Sequence, residues 1–152
     1  MKKILLTVIA VLTISVAASA QSRALGVRLG GNAEVSYQHY MIGDSFLEAD
    51  LGLAFLHDSG FYASGIYNFV IGNLNSINIY AGPGVCIGAH NTVNENDKIT
   101  TNFALGIAGQ LGAEWQMGVI PFNLSLDWRP YFDFIGHGLG WTSLALGLRY
   151  RF

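Results

Sequence analysis

The chain of 152 residues holds one cysteine, Cys86, three prolines and few charges. A single cysteine excludes an internal disulfide and any zinc site built on cysteines. Charged residues are 12% of the chain, about half the share usual in globular proteins. Lysine is scarcest of all: beyond Lys2 and Lys3, Lys98 stands alone. Nucleic acid is bound through a basic patch, and this charge balance argues against such a partner. Past residue 20, no apolar run approaches the roughly 20 residues that a membrane-spanning helix requires.

What is abundant is apolar side chain, 51% of the total, together with 19 glycines. The N-terminus accounts for part of it. Lys2 and Lys3 precede an apolar stretch over residues 4–16, followed by Ala18-Ser19-Ala20. A short positive region, an apolar core and small residues before a cleavage point make a secretory signal peptide. The expected boundaries are residues 1–20 for the signal and 21–152 for the mature domain. Loss of Lys2 and Lys3 leaves six basic residues against ten acidic ones, a net charge near −4. An exported chain that is apolar, poor in charge and free of spanning helices has the composition of a membrane β-barrel.

The mature chain alternates with period two almost throughout. Leu144, Leu146, Leu148, Tyr150 and Phe152 share one face; Ala145, Gly147, Arg149 and Arg151 share the other. Phe122, Leu124, Leu126 and Trp128 stand against Asn123, Ser125, Asp127 and Arg129. Leu105, Ile107 and Leu111 stand against Gly106, Gln110, Gly112 and Glu114, and Ile79, Val85 and Ile87 against Tyr80, Gly82, Gly84 and Gly88. Residues 61–71 alternate less cleanly, while Glu48 and Asp50 lie opposite Leu47, Leu51 and Leu53. Gly-, Asn- and Asp-rich turns punctuate these segments, and the polar stretch 91–98 is the longest connection. Short turns between successive strands make an antiparallel meander.

Residues 24–41 read equally well as one long strand or as two short ones joined by a three-residue loop at Gly30-Gly31-Asn32, because the alternation never loses phase. Single-chain bacterial barrels have even strand numbers, which favours two strands there and eight in all. The fold class is therefore all-β: an antiparallel up-and-down transmembrane barrel, eight-stranded, behind a cleaved signal peptide.

Alternation alone does not say which face is inside, since a soluble barrel has the same period with its apolar face inward. The polar face decides. It carries glycines beside Arg28, Arg129, Arg149 and Arg151 and beside Glu34, Glu48, Asp50, Glu114 and Asp127. Small residues interspersed with nearly balanced charges suit a narrow lumen packed with side chains. Aromatic placement gives two girdles: Phe46, Phe69, Trp115, Phe122, Tyr150 and Phe152 near the periplasmic end, and Phe55, Phe61, Phe103, Phe134 and Trp141 near the outer one.

Candidate chemistry is sparse. His57-Asp58-Ser59 sits in one outer turn and His137 near Asp133 in another, but adjacent turn residues point apart and make a poor catalytic triad. His57, His90 and His137 share the outer rim without the spacing of a metal motif. Gly82-Pro83-Gly84 lacks the helix that a phosphate loop needs; a bulge or kink at Pro83 is the expected account. Neither a catalytic residue, a cofactor nor a metal is assigned.

The runs Ile79-Tyr80-Ala81-Gly82-Pro83-Gly84 and Leu124-Ser125-Leu126-Asp127-Trp128-Arg129-Pro130, with the ending Ala145-Leu146-Gly147-Leu148-Arg149-Tyr150-Arg151-Phe152, resemble small porin-family, OmpX-like outer-membrane proteins of Bacteroidetes. The resemblance implies an eight-stranded barrel in outer-membrane lipid and lipopolysaccharide. It also implies insertion by the barrel-assembly machinery, which reads a last strand ending in Tyr150 and Phe152. No catalytic motif comes with it. A non-enzymatic barrel with a structural or surface-interaction role is the leading expectation; a lipid-modifying enzyme or a small-solute channel is the alternative.

Signal cleavage has a direct consequence. Mass spectrometry of the protein from a bacterial envelope fraction should give Gln21 as the first residue, and a retained Met1 would contradict the export reading.

Overall fold

The computed structural model describes residues 22–54, 60–93, 99–136, 138–140 and 144–152. The signal segment 1–20 lies outside them. Among the described residues all regular structure is strand: β1 (Arg23–Leu29), β2 (Asn32–Tyr40), β3 (Ser45–Ala54), β4 (Gly60–Leu74), β5 (Ile77–Val93), β6 (Ile99–Gln116) and β7 (Phe122–Trp128). β7 resumes at Tyr131–Asp133, still beside β6, and the last strand, β8, comprises Gly138–Gly140 and Leu144–Arg151. Each strand is antiparallel to its predecessor, and β8 pairs with both β7 and β1. The sheet closes into an eight-stranded barrel.

Residues 24–41 form two strands. Leu29 pairs with Ala33 across a three-residue loop in which Gly30 N–H donates to the Asn32 carbonyl at 3.0 Å. This loop length keeps the phase, so Arg28 and Glu34 are paired and both face inward.

Closure sets a stagger. The path Phe122–Tyr150–Leu25–Tyr37–Ala49–Gly65–Val85–Ile107–Phe132 follows directly paired residues once round the ring. It begins and ends on the β7 line, ten residues apart. A stagger of that size requires steeply tilted strands, roughly 35–45° from the barrel axis.

The two faces are inverted relative to a soluble barrel. Arg28, Glu34, Glu48, Asp50, Glu114, Asp127, Arg129 and Arg149 are all buried, whereas Leu51, Leu53, Val85, Ile107, Leu146 and Leu148 are exposed. The outer face carries the large apolar side chains and the inner face the charges. β4 alternates poorly because it reverses the pattern locally: Ile66 points inward and is fully buried, while Gly65 faces out with open space beside it.

Two expectations are corrected. Phe46 was assigned to the periplasmic girdle, yet it is 1% exposed and packs edge-on against Tyr80 with ring centres 5.1 Å apart. Its position in the strand decides this, since it shares the phase of Glu48 and Asp50. Phe69, Trp115, Phe122 and Tyr150 do face outward at that end, and Phe61, Phe103 and Phe134 do so at the other; Phe55 and Trp141 lie outside the described residues. Of the bulge or kink expected at Pro83, the bulge is absent there. Its flanking pairs, Ile66–Gly84 and Phe69–Ala81, keep one register, and the irregularity falls at Val70–Gly72 of β4.

Inner-face glycines allow the wall to curve tightly. A Cβ on Gly26 would lie 1.9 Å from the Leu148 carbonyl oxygen, and one on Gly82 would lie 1.9 Å from that of Tyr67. The neighbouring backbone thus occupies the volume a side chain would need. Gly26→Val should lower stability by about 1–3 kcal/mol, the usual cost of overpacking. Gly31→Ala, with nothing within 4 Å, should stay within about 0.5 kcal/mol. Urea titration of the refolded barrel measures both; equal effects would contradict the close-approach argument.

Candidate functional site: the charged barrel interior

Period two delivers one polar side chain to the lumen from every second position of each strand. Closure then brings together residues far apart in sequence. Glu48, from β3, is the meeting point. Its Oε1 accepts from Arg129 Nη2 at 2.6 Å and from Gln110 Nε2 at 3.1 Å, with Arg149 Nη2 at 3.2 Å. Its Oε2 accepts from Gln38 Nε2 at 2.9 Å. These partners, three hydrogen-bond donors and the ion-paired Arg149, come from or beside β7, β6, β8 and β2, so one carboxylate ties five strand lines together.

Arg129 is the longest brace. It follows β7 directly and reaches β3, four strands away in a ring of eight and therefore on the opposite wall. Besides Glu48 it meets Asp50 Oδ2 at 2.8 Å and Glu34 Oε2 at 3.7 Å, and its Nη1 donates to Ser64 Oγ at 2.7 Å. Arg28 closes the next link, donating to Asp127 Oδ1 at 2.6 and 2.8 Å and to Glu34 Oε2 at 3.0 Å. Arg149 donates to Ser36 Oγ at 2.8 Å and Ser125 Oγ at 2.7 Å.

Seven of the nine residues assigned to a lumen network are thereby joined through ion pairs: Arg28, Glu34, Glu48, Asp50, Asp127, Arg129 and Arg149. The other two stand at the chain-terminal end with neutral partners. Glu114 Oε1 accepts from Tyr40 Oη at 2.7 Å and from Gln116 Nε2 at 3.3 Å, and Arg151 Nη1 donates to Gln116 Oε1 at 3.3 Å. Tyr40 also accepts from Asn123 Nδ2 at 2.8 Å. The neutral members, Ser36, Gln38, Tyr40, Ser64, Gln110, Asn123 and Ser125, were not assigned beforehand. All but Ser64 share the phase of a charged residue on their own strand, which is the signal they carried; β4, the strand of Ser64, holds no charged residue.

Beyond the charges lies a small apolar group of Ile66, Cys86 and Ala108, with Tyr62 and Tyr131 packed against it. His57, Asp58, Ser59, His137 and the His90 side chain lie outside the described residues. Asp133 Oδ1 accepts from the backbone N–H of Leu105 at 3.2 Å and of Ile135 at 2.9 Å, which is a turn-holding role. Of the two assembly-signal residues, Tyr150 faces outward against Phe122, with ring centres 5.4 Å apart. Phe152 exchanges backbone hydrogen bonds with Arg23 at 2.9 and 3.3 Å.

No protein-family model and no curated protein sequence matches the chain. Solved structures do. The fold is similar to the N-terminal β-barrel domain of OprF from Pseudomonas aeruginosa, at TM-score 0.71 and 14% identity over 86% of this chain and 95% of that one. It is also similar to the neisserial surface protein A, NspA, at TM-score 0.61 and 11% identity over 86% of this chain and 93% of that one. The architecture is that of eight-stranded outer-membrane barrels.

Arg129→Ala leaves Glu48 and Asp50 buried without their nearest cation. It should destabilise the barrel by about 3–5 kcal/mol, the cost of breaking a buried ion pair from one side. Arg151→Gln, at the partly buried end, should cost less than about 1 kcal/mol. Urea unfolding in detergent micelles compares them; equal losses would contradict the central position of Arg129.

Proposed function

We propose that the chain is a non-enzymatic integral protein of the bacterial outer membrane, with a structural or surface-interaction role and a lumen closed by its own side chains. The observation that carries this reading is the Arg129–Glu48 pair: fully buried, joining opposite walls, inside a sheet whose outer face is apolar. An apolar exterior of exposed Leu, Ile, Val and Phe is stable against hydrocarbon rather than water. The similarity to the OprF barrel domain and to NspA supports the same setting.

Export through a signal peptide at residues 1–20, removed to leave 21–152, completes the route. Lipid and lipopolysaccharide are the immediate surroundings. The barrel-assembly machinery is the partner during insertion, recognising the last strand through Tyr150 and Phe152, whose backbone closes the ring against β1. The sequence runs in β5, β7 and β8 support membership of the OmpX-like group of Bacteroidetes. The surface partner is a matter for the outer loops.

A lumen spanned by Arg129 should not conduct. In planar bilayers the refolded protein should give no large, stable single-channel currents; such currents would replace this reading with the solute channel. Lipid A from expressing and deletion strains should show identical acylation by mass spectrometry, and a changed acyl pattern would replace it with the lipid-modifying enzyme.

A further inference from the structure

We infer that two apolar connections at the chain-terminal end of the barrel, residues 41–44 and 117–121, insert into the lipid interface of the leaflet on that side. The inference rests on the proposed outer-membrane setting and extends it from the strands to the turns.

Turns that meet water are ordinarily built from Gly, Pro, Asn, Asp and Ser. The β6–β7 connection is Met117-Gly118-Val119-Ile120-Pro121, without a charge or a hydrogen-bonding side chain. Val119 is 99% exposed, and in the β2–β3 connection Ile42 is 104% exposed. Among the described residues neither has anything to pack on.

Both connections are held in shape. Met117 N–H donates to the Phe122 carbonyl at 3.1 Å, Phe122 N–H to Ile120 at 2.8 Å and Arg151 N–H to Pro121 at 2.7 Å. Across the barrel, Met41 N–H donates to Ser45 at 3.0 Å and Val70 N–H to the Asp44 carbonyl at 2.8 Å. Val119 and Ile42 are therefore presented outward by fixed backbone.

Lipid is the occupant that fits their placement. Ile120, Phe122 and Trp115, at the end of the outer face next to this connection, are all exposed as well. The two connections lie four strands apart in a ring of eight, on opposite sides of a mouth roughly 15 Å across by strand spacing and tilt. Lipid surrounds the barrel and meets both at once, whereas a protein partner would have to bridge the polar mouth between them. The remaining connection of this end, Asn75-Ser76 between β4 and β5, is polar, so apolarity is not a general feature of this rim. Amphipathic elements of this kind settle about 5–10 Å into the headgroup–acyl boundary, with Asp44 left at headgroup level.

Nitroxide labels on single cysteines test this in the full barrel refolded into liposomes. The background is Cys86→Ala, with Ile42→Cys, Val119→Cys, Ser76→Cys and Leu51→Cys introduced singly and folding checked by gel shift. Accessibility to oxygen, which concentrates in lipid, is compared with that to a water-soluble nickel chelate. Labels at 42 and 119 should favour oxygen, the label at 76 the chelate. High chelate access at 42 and 119 would overturn the inference in favour of water, and low access to both reagents would overturn it in favour of a protein contact. The label at 51, on the outer face of β3, separates the two levels: chelate access there refutes the membrane setting itself, while oxygen access there with chelate access at 119 refutes only the insertion of the turns.

Discussion

Glu48 and the cations around it are the constraint on which the barrel depends. An eight-stranded ring encloses a space its own side chains fill, so a charge pointing inward has little water to solvate it. Leaving one such charge without a partner costs several kcal/mol. The chain meets this by routing Arg129 across to Glu48 and Asp50, Arg149 to Glu48, and Arg28 to Asp127 and Glu34. Because the partners come from β1, β2, β3, β7 and β8, the network forms only when the ring has closed in register. Only the Arg28–Glu34 pair lies within a single hairpin.

The same constraint explains the small residues. Arg149 lies close beside Gly147, where a Cβ would meet its Nη1 at 2.7 Å, and Tyr80 occupies the volume that a Cβ on Gly112 would claim. Large polar side chains on some lines require nothing on the adjacent ones. The outer face has the opposite requirement. Its Leu, Ile, Val and Phe are exposed with respect to the protein, and hydrocarbon is the medium in which that exposure carries no cost. Inner satisfaction and outer apolarity come from the same period-two pattern.

That pattern made most of the fold legible in the sequence. The even-strand rule placed a turn at Gly30-Gly31-Asn32, and the pairing of Leu29 with Ala33 is the one such a loop requires. Phase also put the arginines and acids on one face. What phase cannot supply is height along the barrel. Arg129 meets Glu48 because of a ten-residue stagger that accumulates over all eight strands, and no local spacing encodes it. Residue type misled where it conflicted with phase. Phe46 was placed in the girdle for being aromatic, yet its parity with Glu48 sent it inward against Tyr80. The uncharged members of the network, Gln38 and Gln110 above all, had the right parity and lacked only a charge to draw notice.

The proposal that this inside-out barrel sits in the outer membrane is tested most directly by heat-modifiability on fractionated cells. A folded barrel in the outer-membrane fraction should migrate differently on a gel before and after boiling. A band in the soluble periplasmic fraction, with the same mobility either way, would contradict the account.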